Sequence, residues 1–129
     1  MVYGIGVDMV DVRELERLIK QLGDCFVEHT FTEKEVVASK QNSDPTGYLA
    51  ERFAAKEAVF KAVAHLTKAN TFDFRIVETL NREDGNPFIQ INDKLQQILD
   101  DAGINSIMVS LAKETHYTMA MVIAQGNSN

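Results

Sequence analysis

Residues 52–62 read Arg-Phe-Ala-Ala-Lys-Glu-Ala-Val-Phe-Lys-Ala, a stretch that predicts the central helix of the fold. At about 100° per residue, Phe53 and Phe60 share one face of this helix, and Glu57 falls about 40° from Phe53. A carboxylate on a core-facing stripe is costly unless it is neutralised, paired or bound to a cation. Two explanations stay open: Glu57 pairs with Lys61 on the next turn, or it serves a functional site.

From Val2 to Asp8, large apolar residues alternate with glycine and aspartate, which predicts a β-strand. Its two faces differ in side-chain size, with Tyr3, Ile5 and Val7 opposite Gly4, Gly6 and Asp8. Glycine inside a strand makes room for another backbone, a side chain or a ligand. The sequence leaves open whether a packed helix or a ligand uses this room, and whether Asp8 serves a site or caps the following helix.

Together, the segments Gly4–Asp8 and Phe53–Ala62 resemble the two signatures of the 4'-phosphopantetheinyl transferases. Their order and spacing are similar to those of the short bacterial holo-acyl-carrier-protein synthase type. The resemblance covers most of the chain through three further segments, Thr32-Glu33-Lys34-Glu35, Asp84-Gly85-Asn86-Pro87 and the run from Val109 to Tyr117. It implies the fold of that superfamily.

The resemblance also implies a reaction, in which the 4'-phosphopantetheine arm of coenzyme A passes to a serine of apo acyl carrier protein and adenosine 3',5'-bisphosphate is released. Asp8 and Glu57 would be the Mg²⁺ ligands, which suits the preference of this ion for carboxylates and substrate phosphates. Lys56 would contact the reacting phosphate or handle a proton, and Lys61 and Arg52 would be phosphate-side cations. The general base stays open among metal-held water, Glu57 and Lys56. The ordinary alternative makes Lys56 and Arg52 a solvated row on the helix.

Three positions depart from the family pattern. Glu14 stands where an arginine is usual, Met108 stands where many relatives have histidine, and the run from Val63 to Lys68 replaces a Gly-Thr-Gly loop. These departures motivate an alternative function, a catalytically weak paralogue that binds a carrier protein or nucleotide without turnover.

The formal net charge of -6 argues against broad nucleic-acid binding, and an acidic acyl carrier protein would need a local basic surface. The first predicted helix offers such a surface, since three cations lie roughly opposite its apolar face: Arg13, Arg17 and Lys20. We expect this stripe to dock the carrier protein. The alternative is a solvated face whose field is diluted by Glu14 and Glu16.

The length of 129 residues predicts a single domain with a flexible tail at 126–129. The resemblance implies that this domain, residues 1–129, is a phosphopantetheinyl transferase domain. The single Cys25 excludes an intrachain disulfide and fits a reducing cytoplasm. The apolar runs are too short for a membrane span or signal peptide. Because short family members form homotrimers, we expect a homotrimer. Met119 and Met121 share a strand face that belongs to the core or to a subunit interface.

The remaining pattern gives the fold class. Thr32 and Glu35 form a capping box that starts a helix through about Lys40. Further helices are predicted at about 48–66 and 93–102, and strands at 72–76, 88–91, 107–111 and 117–124. This order indicates an α+β fold with a mainly antiparallel sheet packed against a long central helix. The three histidines, His29, His65 and His116, lack the spacing of zinc ligands. Fatty acid biosynthesis and a secondary pathway both remain open as the context of lipid metabolism.

Overall fold

The computed structural model describes residues 1–68 and 72–127 of the chain. Helices and strands follow one another in the order β1 (Val2–Asp11), α1 (Val12–Leu22), α2 (Asp24–Thr30), α3 (Glu33–Lys40), α4 (Pro45–Val63), β2 (Glu78–Asn81), β3 (Pro87–Gln90), α5 (Asp93–Ala102), β4 (Ser106–Lys113) and β5 (Tyr117–Gln125). Short 3₁₀ turns lie at Ala64–Leu66, after α4, and at Phe74–Ile76, before β2. The α+β prediction is confirmed.

The strands form two antiparallel sheets. One has three strands in the order β1-β5-β4, and the other is the hairpin β2-β3. In the larger sheet Gly6 lies opposite Val122, and Asp8 lies opposite Ala120. The predicted hairpin between the two C-terminal strands is also present, with Val109 opposite Val122. The mainly antiparallel character expected from the element order is therefore confirmed.

Helix α4 packs directly on β1, and the strand glycines permit this approach. A Cβ atom on Gly4 would lie 1.9 Å from the carbonyl oxygen of Ala62, and one on Gly6 would lie 1.8 Å from that of Ala58. No side chain fits at such distances, so the packed helix uses the room that the glycines leave. This contact brings Asp8, two residues beyond Gly6, alongside α4.

The buried face of α4 differs from the predicted one. Phe53, Phe60 and Glu57 are only half-buried. The fully buried positions are small or β-branched aliphatic residues and two cations: Ala50, Ala54, Ala55, Ala58, Val59, Ala62, Val63, Arg52 and Lys56. The prediction that Glu57 lies on a core-facing stripe is therefore wrong, because the small residues, rather than the aromatic ones, face the sheet at close range.

Several boundaries follow local chemistry. Asp44 caps α4 and is followed by Pro45 in the first turn, so this helix starts earlier than predicted. The capping box of Thr32 and Glu35 is present, and α5 ends at Gly103 in the left-handed conformation, as predicted. Asp11, and not Asp8, caps α1.

Two elements differ from expectation. The strand predicted at 72–76 is wrong, since Phe74–Ile76 forms a 3₁₀ turn capped by Asp73 and the strand follows at Glu78–Asn81. Residue 71 lies outside the described residues. Helix α2 has no counterpart among the predicted elements. It follows α1 after Gly23, whose positive φ of 70° allows the sharp change of direction.

The predicted flexible tail needs correction at its first residue. Gly126 is buried, donates to the Met1 carbonyl at 2.9 Å and accepts from the Met1 amino group at 2.9 Å. Asn127 accepts from the Tyr3 hydroxyl. Residues 128–129 lie outside the described residues.

The outer face of the three-stranded sheet is apolar and exposed. Its side chains include Ile5, Val7, Met9, Met108, Met119 and Met121, which are 39–62% exposed. The core alternative for Met119 and Met121 is therefore wrong. Over the part of the chain that the structure describes, no helix is long and apolar enough to cross a membrane.

Candidate active site

Asp8 and Glu57 line one cleft of about 300 Å³, although 48 residues of sequence separate them. Asp8 is placed by β1 and Glu57 by α4, and the glycine contacts described above hold those two elements together. Phe53 and residues of α1, among them Glu14 and Leu18, complete the wall. The two carboxylates that the sequence predicts as metal ligands thus face the same space.

Lys61 completes the charged group at the cleft. Its Nζ donates to Asp8 Oδ1 at 2.9 Å and to the Val7 carbonyl at 3.2 Å. The ammonium group is half-exposed, whereas the Asp8 carboxylate is mostly buried. The predicted pairing of Lys61 with Glu57 is replaced by one with Asp8, so the cation bridges from α4 to β1.

The environment of Glu57 disfavours its charged form. Partial removal from water raises the pKa of this carboxyl above its ordinary value, and the neighbouring Asp8 charge raises it further, while Lys61 opposes both. Two acids that repel each other across one cleft form a suitable environment for a divalent cation, which would relieve the repulsion.

The protein alone offers only part of a coordination shell at this place. Within residues 1–68 and 72–127, no three or more His, Cys, Asp or Glu side chains come together as a metal-binding group. Two carboxylates with remaining positions open to substrate phosphates and water match the usual way in which proteins hold Mg²⁺. The pair therefore fits the predicted ion.

Lys56 does not reach this cleft, which corrects the predicted contact with a reacting phosphate. Its side chain is fully buried, and its Nζ lies 2.8 Å from Glu35 Oε1. The ammonium also donates to the carbonyls of Phe74 at 2.8 Å and Val77 at 2.5 Å. Desolvation lowers the pKa of Lys56, and the Glu35 charge opposes that effect. The solvated-row alternative is equally wrong.

Arg52 is also buried, with only 1% of its surface exposed. The guanidinium lies 3.9 Å from the ring centroid of Tyr48, and one of its terminal nitrogens donates to Asn81 Oδ1 at 2.9 Å. The predicted role of Arg52 as an open phosphate-side cation is therefore corrected: the group is stacked inside the protein.

The three cations predicted to dock a carrier protein all lie on α1, and each has an acidic neighbour. Arg13 is held by Asp11 through two hydrogen bonds of 3.0 Å, and it also donates to the Tyr117 hydroxyl. Arg17 lies 3.8 Å from Glu14, and Lys20 lies 3.3 Å from Glu16. The stripe is exposed and close to the cleft, but its field is locally diluted by these acids.

A second cleft contains the departure at Met108. It has a volume of about 400 Å³ and lies between the β2-β3 hairpin and β4, with Arg82, Asn86, Phe88 and Ser110 among its walls. The Arg82 guanidinium lies 4.5 Å from the centroid of the Phe88 ring. The structure thus joins the Asp84–Pro87 turn to the strand that carries Met108.

A larger cleft, of about 930 Å³, contains none of the predicted site residues. It lies between α2, α3, the turn at Phe74–Ile76 and the start of α5. Asp73 and Arg75 at its edge are joined by two hydrogen bonds, of 3.1 and 2.8 Å. The charged group at Asp8 and Glu57, rather than cavity size, identifies the candidate site.

Sequence reasoning missed Glu35 as a partner of Lys56. The Thr-x-x-Glu pattern accounts for Glu35 as a capping residue, which gives no signal of a second, buried contact. The sequence of α4 gives no signal either, because a lysine on a helix is ordinarily solvated.

Comparisons with known proteins show the family of the chain. The family model of the 4'-phosphopantetheinyl transferase superfamily matches residues 4–122. The chain is 32% identical over 129 residues to the holo-[acyl-carrier-protein] synthase of Hydrogenovibrio crunogenus, covering 99% of this chain and 100% of that protein.

Two crystal structures are similar in fold. The holo-[acyl-carrier-protein] synthase of Neisseria meningitidis has a TM-score of 0.87 at 33% identity, covering 97% of this chain and 99% of that one. A holo-(acyl-carrier-protein) synthase from Bacillus anthracis, in complex with CoA (3',5'-ADP), has a TM-score of 0.76 at 25% identity, with 98% and 99% covered.

Proposed function

The chain belongs to the 4'-phosphopantetheinyl transferase superfamily, and from that membership we infer that it is a holo-acyl-carrier-protein synthase. It transfers 4'-phosphopantetheine from coenzyme A to a serine of apo acyl carrier protein and releases adenosine 3',5'-bisphosphate. The observation that carries this proposal is the meeting of Asp8 and Glu57 at one cleft, with Lys61 paired to Asp8, within a fold similar over 97% of the chain to a synthase crystal structure.

Mg²⁺ is the proposed cofactor, and Asp8 and Glu57 are the residues that would hold it. Their hard oxygen donors and mutual repulsion suit a small divalent cation. When bound, the ion supplies neutralisation of charge on the diphosphate of coenzyme A.

The remaining chemistry falls to side chains at the cleft. Lys61 is half-exposed and on the same flank of α4 as Glu57, so its ammonium can move from Asp8 to a phosphate oxygen when substrate enters. Phosphoryl-type transfer depends mainly on positioning and on charge stabilisation, both of which such a cation provides. The base that accepts the proton of the carrier serine is either Glu57 or a water molecule held at the metal site.

The carrier protein docks, in this proposal, on the outer surface of α1. Arg17 and Lys20 have highly exposed side chains, and their pairs with Glu14 and Glu16 are weak surface pairs that an acidic partner can replace. Arg13 is held by Asp11 in a two-bond pair and is therefore a less mobile contact than Arg17 and Lys20.

We also propose a homotrimer in the cytoplasm that supplies carrier protein to fatty acid biosynthesis. The exposed apolar face of the three-stranded sheet supports self-association, since contiguous apolar patches on a monomer commonly mark interfaces. The exposed free thiol of Cys25 is compatible with a reducing compartment.

The decisive experiment is mass spectrometry of an apo acyl carrier protein incubated with this protein, coenzyme A and Mg²⁺. A gain of one phosphopantetheine supports the transferase. Stable binding of the carrier without any gain supports the catalytically weak paralogue suggested by Glu14 and Met108. Asp8→Ala and Glu57→Ala should abolish the gain while the circular dichroism spectrum stays that of a folded protein; full turnover by either variant would refute the metal assignment.

A further inference from the structure

The least expected feature of the molecule is a fully buried ion pair behind the candidate site. Lys56 and Glu35 both have 0% of their side-chain surface exposed, and Lys56 Nζ lies 2.8 Å from Glu35 Oε1. The two other bonds of the ammonium go to the carbonyls of Phe74 and Val77. All three donors of the ammonium group are therefore used inside the protein.

The carboxylate of Glu35 is equally occupied. Its Oε1 accepts from the backbone N–H of Thr32 at 2.9 Å, and its Oε2 accepts from the backbone N–H of Thr79 at 3.1 Å. One acidic side chain thus joins the start of α3, the interior of α4 and the start of β2.

Stability alone does not account for such a pair. Withdrawing two charges from water costs nearly as much as their attraction returns, and apolar residues of similar volume often serve as well or better. The start of α3 is in any case capped by the Thr32 hydroxyl, which accepts from the Glu35 N–H. The pair does constrain geometry, because its hydrogen bonds fix the position of α4 relative to two other segments.

The position of α4 matters because this helix carries Glu57. Ala58 contacts β1 at Gly6. At about 100° per residue, Lys56 lies about 160° around the helix from Ala58, and Glu57 lies about 100° from each of them. The helix is therefore anchored on two opposite sides, and its rotation about its own axis, which aims Glu57 at Asp8, is set by both anchors.

We propose that Glu35, acting through Lys56, is a positioning residue for the Asp8–Glu57 pair. This inference rests on the proposed function, since it concerns the geometry with which the two carboxylates receive a divalent cation. Neither Glu35 nor Lys56 touches substrate; together they hold α4 at the rotation that the cation site needs.

The test measures cation binding separately from catalysis. Mn²⁺ is titrated into the full-length protein without coenzyme A and followed by electron paramagnetic resonance, and the Mg²⁺ concentration for half-maximal phosphopantetheine transfer is measured in parallel. Glu35→Gln should weaken Mn²⁺ binding about 10- to 100-fold, as is typical for residues that orient metal ligands. The Mg²⁺ requirement should rise in step, so that excess Mg²⁺ restores part of the rate.

Thr32→Ala is the matched control. It removes the cap that the Thr32 hydroxyl provides at the start of α3 and the hydrogen bond from that hydroxyl to Glu78. It leaves the Glu35 carboxylate and the two carbonyls that contact Lys56 in place. We expect it to lower the melting temperature while Mn²⁺ binding and the Mg²⁺ requirement stay at the wild-type values. If Glu35→Gln behaves in the same way, the buried pair is merely structural and the proposal is overturned.

A double variant covers the case in which Glu35→Gln does not fold. Glu35→Gln combined with Lys56→Met leaves no buried charge without its partner, so it should fold. It should still bind Mn²⁺ weakly, because the bonds from Lys56 to Phe74 and Val77 are gone; wild-type affinity would refute the positioning role. A wild-type protein that never modifies an apo carrier would instead refute the proposed function, independently of the Mn²⁺ result.

Discussion

Glu57 and Lys56 are neighbours on α4, yet their side chains lie in opposite environments. Lys56 is fully buried with three acceptors, whereas Glu57 is half-buried at the edge of a cleft. A fully buried ammonium group needs an acceptor for each of its hydrogen-bond donors, and Lys56 has all three. Glu57 is only partly buried and is open to the cleft, where the proposed Mg²⁺ would bind.

Removing the charge of Glu57 should therefore stabilise the protein without ligands. Its raised pKa means that ionisation at pH 7 opposes folding, because stability from a group of this kind is present at low pH and lost as the pH rises through the folded pKa. Glu57→Gln should raise the melting temperature at pH 7 by about 1–3 °C, a small change because the group is partly exposed. Below the ordinary pKa of 4.5, the difference should vanish.

With divalent cations and coenzyme A present, the wild type should melt at a higher temperature than Glu57→Gln. Mg²⁺ with coenzyme A binds only the folded state, so it should raise the melting temperature of the wild type more than that of Glu57→Gln. Differential scanning fluorimetry across pH, with and without these ligands, measures both effects. Glu114→Gln, at an exposed acid immediately after β4, is the control and should change neither. A variant that melts below the wild type at pH 7 would contradict the environment assigned to Glu57.

At the scale of whole elements, the contact between β1 and α4 determines whether the site exists. Gly6→Ala would place a methyl group 1.8 Å from the Ala58 carbonyl oxygen, and backbone on both sides leaves no flexible group to move aside. We expect a loss of at least about 3 kcal/mol in the free energy of unfolding by urea titration. Activity should fall further than the folded fraction, because β1 carries Asp8.

Gly85→Ala separates this overlap from the general effects of replacing glycine. Gly85 has a φ of 89° in the hairpin turn, and nothing lies within 4 Å of its added Cβ. Its substitution should cost only the strain of a left-handed residue, about 1–2 kcal/mol. Equal losses in the two variants would show that the packing of α4 on β1 is looser than the structure indicates.

Helix α1 carries the prediction for the carrier protein. Reversing Arg17 and Lys20 together to Glu places four acids on one exposed surface, with Glu14 and Glu16, and should raise the KM for an acidic carrier about tenfold, mostly through slower association. The KM for coenzyme A should not change, since its proposed contacts lie on β1 and α4. Steady-state kinetics against each substrate measures this separation.

A charge-matched control lies on α3. Reversing Lys34 and Lys40 to Glu changes the net charge of the protein by the same amount on a different exposed helix. If this variant raises the KM for the carrier as much as the α1 variant does, overall charge rather than docking at α1 accounts for the effect.

Elements with strong local signals were predictable from the sequence. Neighbouring residues define three such features: the capping box at Thr32, the helix from Asp93 that ends at Gly103, and the two C-terminal strands.

The convergence of Asp8 and Glu57 was predicted from the family resemblance, and the glycine pattern only indicated that something packs against β1. The prediction of which α4 residues are buried was wrong. The alanines of α4 pack closely on the glycines of β1, so they are buried instead of the phenylalanines that hydrophobicity favours. The partner of Lys56 depends on a contact between α3 and α4, which no local pattern contains.

At the scale of the whole molecule, the net charge of -6 coexists with a broad apolar surface. One side of the three-stranded sheet covers the core through Ala120, Val122 and Ala124, and the other side presents large apolar side chains to solvent. A sheet that is apolar on both faces needs a covering on each, and α4 covers only one. A second copy of the chain is the occupant consistent with the proposed homotrimer.

Charge placed on this face should therefore separate the subunits. Met9→Lys combined with Met121→Lys puts cations on adjacent strands, β1 and β5, where burial in an apolar interface would leave both unpaired. Light scattering after size exclusion should give the mass of a trimer for the wild type and a smaller species for the variant. Val37→Lys is the control, since Val37 is 50% exposed on α3, and it should leave the mass unchanged. A variant that keeps the wild-type mass, or a wild type that is already a monomer, would show that this apolar face is not the surface through which the chain assembles.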